Sequence, residues 1–246
     1  MMPYILKIGP FTIFSYGLML ACAFFLGAYL ASQRGRKEGF NAEEIFNFLF
    51  FVFIFGIIGC RVLYVLITFG FYLRNPLEIL MIQRGGMAWF GGLLLGSAAG
   101  IIYLKRKNLP ILKVLDLVVP FVALGQAIGR IGCFLNGCCY GKVSQCGVYF
   151  PSLNEIRLPT QIYSAFLLVV IFMILRLLQE KKHQPGEIVA SYFFLYALKR
   201  FIMEFFRGDN TPVFFGLTIF QLFSLGFLSL SLGIFIYLRV FKAKEQ

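Results

Sequence analysis

Charge is what this chain has least of. Only 14% of its 246 residues are charged, 59% are hydrophobic and the mean hydropathy is +0.82, which excludes an ordinary soluble domain of this size. A basic stretch ahead of the first apolar run is also missing, because Lys7 stands there alone. The small residues around Leu20-Ala21-Cys22-Ala23 are therefore not expected to mark a cleaved signal peptide, and Phe24-Phe25-Leu26 carry the run on to spanning length. No C-x2-C pair occurs among the six cysteines, so the usual zinc modules lack their spacing. No shift in composition marks a boundary either, and residues 1–246 are expected to form a single integral-membrane domain.

What is present is a series of apolar runs, each near the ~20 residues that cross a bilayer as a helix. Seven are expected: Phe11 to Ala31, Ile45 to Thr68, Met87 to Leu104, Ile111 to Ile131, Gln161 to Leu178, Ile188 to Phe206, and Leu217 to Leu238. The fold class is thus all-α, a polytopic membrane protein with about seven transmembrane helices. The net charge of +12 follows topology rather than a nucleic-acid surface. With the N-terminus outside, the inner segments hold thirteen cations: Arg34, Arg36, Lys37, Lys105, Arg106, Lys107, Lys113, Arg176, Lys181, Lys182, Arg239, Lys242 and Lys244. The outer segments hold six: Lys7, Arg74, Arg84, Lys142, Arg157 and Arg207. That bias puts the C-terminus in the cytoplasm, and no nucleic-acid partner is expected.

Four cations remain inside the spans, Arg61, Arg130, Lys199 and Arg200. A charge in hydrocarbon is expensive, so Arg130 is expected to pair or to line a wet cavity. Arg130 sits in Gly129-Arg130-Ile131-Gly132-Cys133-Phe134-Leu135-Asn136-Gly137-Cys138-Cys139-Tyr140-Gly141, whose four glycines permit a sharp turn and close approach of backbone to ligand. Its planar fork of donors suits a phosphate. In the sixth span Tyr196, Arg200, Glu204 and Arg207 recur at helical spacing and are expected on one face. An Arg200–Glu204 pair lowers the expense of both charges, and a second arginine beside it reads as a phosphate clamp. Arg61 either snorkels to the headgroups or meets a carboxylate. Asp116 is fourteen residues from Arg130, ~21 Å along a helix, and is expected to meet another helix or water. Gly92, Gly96 and Gly100 have the spacing of a close helix–helix contact.

Four of the cysteines, Cys133, Cys138, Cys139 and Cys146, lie within fourteen residues near the expected outer face. They leave three outcomes open: one or two disulfides in an oxidising compartment, zinc held by four thiolates, or reduced thiols. Cys138 and Cys139 are not expected to bond to each other. No metal ligand set and no cofactor are assigned.

The Gly129–Gly141 stretch resembles the signature of the prolipoprotein diacylglyceryl transferases, Gly-Arg-x-Gly-Asn-Phe-x-Asn-x-Glu-x-x-Gly. Arg130, Phe134, Asn136 and the glycines are in register, while Cys133 replaces the asparagine and Cys138 the glutamate. Further segments are similar to other motifs of that family. Tyr16-Gly17-Leu18-Met19 matches one containing a functional tyrosine. Gly85-Gly86-Met87-Ala88-Trp89-Phe90-Gly91-Gly92 matches another, with Phe90 at its histidine. Pro159, Gln161 and Tyr163 fit a third, and the run from Arg200 to Arg207 a fourth, with the family's essential arginine at Arg200.

The resemblance implies transfer of an sn-1,2-diacylglyceryl group from phosphatidylglycerol to the lipobox cysteine of a prolipoprotein signal peptide, giving a thioether and releasing glycerol phosphate. It implies a multi-pass protein of the bacterial cytoplasmic (inner) membrane, in contact with membrane lipids, whose site faces outward. Arg130, Arg200, Tyr16 and Glu204 are the implied catalytic residues. Arg130, Asn136, Arg200, Arg207, Tyr196, Gln161, Gly91 and Gly92 are the implied substrate-binding ones. Tyr16, Tyr196 and Glu204 remain alternatives for helping the acceptor thiol ionise, since Phe90 cannot move a proton. A bridge among the clustered cysteines is expected to stiffen the loop in place of the missing asparagine and glutamate. A thiol–disulfide oxidoreductase using the same cysteines, and an inactive or transporter-like relative, are the competing readings.

Overall fold

The computed structural model describes residues 2, 4–8, 11–81, 85–208, 210 and 212–240; the expected loop charges at Arg84, Lys242 and Lys244 lie outside them. Helices dominate: α1 Ser15–Lys37, α2 Ala42–Ile67, short α3 Phe69–Arg74, α4 Trp89–Arg106, α5 Ile111–Asn136, α6 Thr160–Gln179, α7 Glu187–Glu204 and α8 Ile219–Val240. A short 3-10 helix, Pro76–Leu80, and three two-stranded antiparallel hairpins complete the described elements: β1 Tyr4–Ile8 with β2 Phe11–Phe14, β3 Val143–Phe150 with β4 Glu155–Arg157, and β5 Pro212–Phe214 with β6 Leu217–Thr218. The chain is an all-α polytopic membrane protein. α1, α2, α5, α6 and α8 are each long and apolar enough to cross a bilayer. α4 and α7, of 18 residues each, reach about 27 Å at 1.5 Å per residue, close to the hydrocarbon thickness.

Three boundaries differ from expectation. The first helix starts at Ser15, because Phe11–Phe14 pairs with Tyr4–Ile8 as a hairpin. The fourth span does not turn at its glycines: α5 runs unbroken through Gly129 and Gly132 to Asn136, and the turn comes at Gly137, with φ 77°. α7 stops at Glu204, which takes Arg207 off the helix.

The chain folds as two compact units, residues 28–114 and residues 1–27 with 115–246. In the first, α2 and α4 pack along a glycine seam. A Cβ on Gly91 would run into the Gly59 carbonyl, and one on Gly92 into Cys60 Sγ. One on Gly96 would stand 3.1 Å from the Val52 carbonyl, and one on Gly100 2.9 Å from Val52 Cγ2. Lipid tails are as apolar as leucine, so such close backbone approach is one of the few things that give helices a reason to associate. The expectation for Gly92, Gly96 and Gly100 is met, and Gly91 joins them.

Arg61, 6% exposed, departs from both of its expected arrangements. It neither snorkels nor meets a carboxylate. Nε donates to Ile79 O at 2.9 Å, Nη1 to Gly85 O at 2.6 Å and Gly86 O at 2.8 Å, and Nη2 to Glu78 O and, at 3.4 Å, to Met81 O. All five N–H groups of the guanidinium thus go to backbone carbonyls of the α3–α4 connection, with the Tyr72 ring 5.3 Å away.

In the second unit Val119, Ala123 and Ala127 of α5, Leu168, Ile171 and Leu175 of α6, and Ile188 and Tyr192 of α7 form one core. Polar clasps fix its register. Pro120 has no N–H to offer the carbonyl four residues back, and Gln179 Nε2 takes up that carbonyl, Asp116 O, at 3.0 Å and Leu117 O at 3.1 Å. The Asp116 carboxylate accepts from Gly186 N at 2.5 Å and Val189 N at 2.9 Å. It therefore meets another helix, as one of its two expectations had it, and does so by satisfying the N-terminus of α7.

Candidate functional site

The clasps between α5, α6 and α7 bring one end of each to a common place. α5 delivers Arg130, Cys133 and Asn136 in its last two turns, and the chain then reverses at Gly137 and at Cys139, whose φ is 61°. The reversal is closed by Gly137 N to Phe134 O at 3.1 Å and Cys138 N to Cys133 O at 3.1 Å. The start of α6 braces it from below. Gln161 Nε2 donates to Cys138 O at 2.6 Å and Thr160 Oγ1 to Cys139 O at 2.8 Å.

Gly141 follows, where a Cβ would stand 2.7 Å from both Phe206 O and Thr160 Cγ2, so only glycine fits. Its N–H reaches Leu158 O at 2.9 Å, and Lys142 N reaches Phe206 O at 3.0 Å. The bridge between Gly141 and Arg207 returns Arg207 to the site after α7 has ended.

The resulting pocket is lined by Arg130, Cys139, Thr160, Ser164, Lys199, Arg200, Met203 and Arg207. Four cations face one small space. The carboxylate beside them, Glu204, is buried and engaged: Oε2 lies 3.1 Å from Arg200 Nη2, and Oε1 accepts from Asn210 Nδ2 at 2.5 Å and Thr218 Oγ1 at 3.0 Å. Arg200 is further held over the Phe220 ring, 4.7 Å from its centroid. Lys199 Nζ sits 4.7 Å above the ring of Tyr196, which packs at a tilt against Tyr192. An excess of positive charge at low dielectric is unfavourable alone and becomes favourable when an anion enters.

The residues expected at the site fall into three groups. Arg130, Arg200 and Arg207 line the pocket, although Arg207 arrives by the Gly141 bridge and not on the helical face of Tyr196, Arg200 and Glu204. Tyr16, Asn136, Gln161, Tyr196 and Glu204 lie around it. Tyr16 packs on α5 at Gly132, where a Cβ would meet its ring at 3.4 Å, and is within electrostatic range of Arg130 and Cys133. Gly91 and Gly92 belong to the α2–α4 seam of the other unit, where their lack of side chains serves packing.

Sequence reasoning assigned no pocket role to Lys199, Thr160, Ser164 and Met203. Lys199 carried a signal, a second cation beside Arg200 in an apolar helix, and it is buried at 4% exposure. The expected disulfide is not formed, and all six cysteines are free. Cys146 is exposed on β3, away from the turn that gathers the other three. The sulfurs of Cys133, Cys138 and Cys139 lie within 4.8 Å of one another. Hydrogen bonds from the Cys133 and Cys138 thiols pull Cys139 well below the ordinary thiol value, with Arg130 and Arg207 adding to the effect.

Residues 3–237 match the family described as prolipoprotein diacylglyceryl transferase. Among curated relatives, the chain is 36% identical over 244 residues, 96% of itself and 97% of the relative, to a phosphatidylglycerol–prolipoprotein diacylglyceryl transferase of Clostridium tetani. It is 32% identical to one of Streptococcus uberis, with 96% and 95% covered. A third, from Streptococcus pyogenes, is 35% identical over 230 residues, with 89% and 88% covered.

Proposed function

We propose, because this chain belongs to the prolipoprotein diacylglyceryl transferase family, that it transfers the diacylglyceryl group of phosphatidylglycerol to the lipobox cysteine of a prolipoprotein. The observation that carries the reading is the convergence of Arg130, Lys199, Arg200 and Arg207 on one pocket with Glu204 already bound to Arg200. A phosphodiester supplies the missing negative charge, and a guanidinium fork fits its oxygens. The pocket works at the outer leaflet of the bacterial cytoplasmic membrane, where phospholipid and translocated signal peptide meet; the positive-inside bias of the loops supports that reading.

The reaction is a displacement at the glyceryl carbon that bears the phosphate. The acceptor thiolate forms the C–S bond while the C–O bond breaks, and the electron pair leaves with glycerol phosphate. Charge on the departing phosphate rises by one as this happens. Arg130 and Arg200, fixed before the reaction by helix packing and by Glu204, stabilise that added charge without reorganising and hold donor and acceptor in line. The matches lend no support to a thiol oxidoreductase or a transporter.

The test is incubation of purified protein with phosphatidylglycerol micelles and a lipobox peptide. The expected result is a diacylglyceryl mass increment on the peptide cysteine, absent with R130A and R200A. An unmodified peptide with wild-type protein, or full modification by R200A, contradicts the reading.

A further inference from the structure

The displacement needs an ionised thiol, and a free cysteine of pKa ~8.5 is mostly protonated at neutral pH. Phe90, 68% exposed, offers no base. Glu204 is spent on Arg200, Asn210 and Thr218. Cys139 stands at the pocket wall instead, and Cys133 and Cys138 lie beside it in a group of three thiols.

We propose that Cys133, Cys138 and Cys139 hold a thiophilic divalent cation of the zinc class as three thiolates, and that its fourth position receives and ionises the acceptor thiol; the second half rests on the transferase reading. The sulfurs lie within 4.8 Å of one another, and tetrahedral ligation at a Zn–S distance of about 2.3 Å brings ligand sulfurs to roughly 3.8 Å. Rotation about χ1 covers that difference.

The frame is already rigid. Cys133 is on α5, while Cys138 and Cys139 are pinned through their carbonyls by Gln161 and Thr160. Cys139 occupies a left-handed conformation, φ 61°, that a cysteine adopts only when its surroundings enforce it. Cys146, exposed on β3, is outside the group. Closed structural zinc sites use four protein ligands, whereas working sites use three and leave one position open. Because Cys139 lines the cationic pocket, the open position faces the lipid phosphate. Three thiolates with a dication carry one net negative charge, which suits the neighbouring Arg130 and Arg207.

A thiol bound to such a metal is deprotonated outright. The acceptor S–H proton passes to water on coordination. The sulfur electron pair then forms the C–S bond as the glyceryl C–O bond breaks toward phosphate. The thioether product is a weak ligand and leaves, and the metal keeps its oxidation state throughout.

The experiment uses the full chain in detergent. Elemental analysis after zinc loading and desalting is expected to give one zinc per wild-type chain and per C146S chain, and none for the C133S/C138S/C139S triple variant. Cobalt(II) in place of zinc is expected to show a thiolate-to-cobalt charge-transfer band that the triple variant lacks. Should that variant fail to accumulate, C138S alone is expected to bind zinc at least tenfold more weakly. A wild-type chain that retains no zinc, with all its thiols alkylated at the same rate with and without the metal, overturns the site.

Stripping the metal with a chelator is expected to slow transfer at least tenfold below pH 7 and to restore a rate that climbs with thiol ionisation. Zinc flattens that pH profile. Unchanged transfer after stripping overturns the activating role. Zinc bound at one per chain with no transfer by wild-type protein at any pH sinks the transferase reading and leaves the metal site standing, so the two failures are separable.

Discussion

Arg61 and Arg200 are both arginines in apolar helices, and their surroundings differ in kind. Around Arg61 every N–H meets a backbone carbonyl, so the guanidinium is saturated by the chain that it folds. Around Arg200, among the described residues, one carboxylate, Glu204, meets it beside a pocket shared with three further cations. Saturation marks a structural charge and surplus marks a working one. The distinction decides function more sharply than burial, since a buried guanidinium occurs in both places.

The comparison can be broken most severely at the pocket. R200A and R130A are expected to lower transfer by about 10²- to 10³-fold, as when one preorganised donor to a developing anion is removed; thermal unfolding is expected to change little in R130A and to fall in R200A, which strands the buried Glu204 carboxylate. Next in size is R61A. Removing the guanidinium strands buried carbonyls without a donor, at about 1–3 kcal/mol for each that water cannot reach, read as a lower unfolding temperature in detergent. R61K is expected to recover only part of this, because an ammonium cannot reach five carbonyls in a planar fork.

G91L separates packing from binding. Overfilling the α2–α4 seam is expected to destabilise by roughly 1–3 kcal/mol, measured by thermal unfolding, with phosphatidylglycerol affinity of the folded fraction unchanged. The smallest effect is Q179A, where the carbonyl freed by Pro120 loses its donor; about 0.6 to 1.7 kcal/mol is expected from the range for hydrogen bonds between membrane helices. A large loss of transfer in R61K at full stability erases the contrast between the two arginines.

Much of this was legible in the chain. Charges in apolar runs pointed to Arg130 and Arg200, and spacing gave the Arg200–Glu204 pair and the glycine seam. Arg61 could not be read, because its partners are carbonyls, which every residue has. Arg207 was misplaced, since the helical count was carried past Glu204, where no glycine or proline signals a stop. Lys199 was passed over because it lies about 100° around the helix from Arg200, and a single-face argument sees only one of them. The cysteines were grouped by nearness in sequence. The turn at Gly137 regroups them in space, bringing Cys133 to Cys138 and Cys139 and leaving Cys146 on its strand.

The central claim is that two helices grip one phosphate, and a double-mutant cycle on lipid affinity tests it most directly. Phosphatidylglycerol binding to wild type, R130A, R200A and the double variant is measured by native mass spectrometry. Each single change is expected to weaken binding at least tenfold. The double variant is expected to lose little more, a coupling of about 1 kcal/mol or above, because a phosphate released by one arginine no longer sits where the other can hold it. Losses that simply add, or affinities equal to wild type, contradict the account.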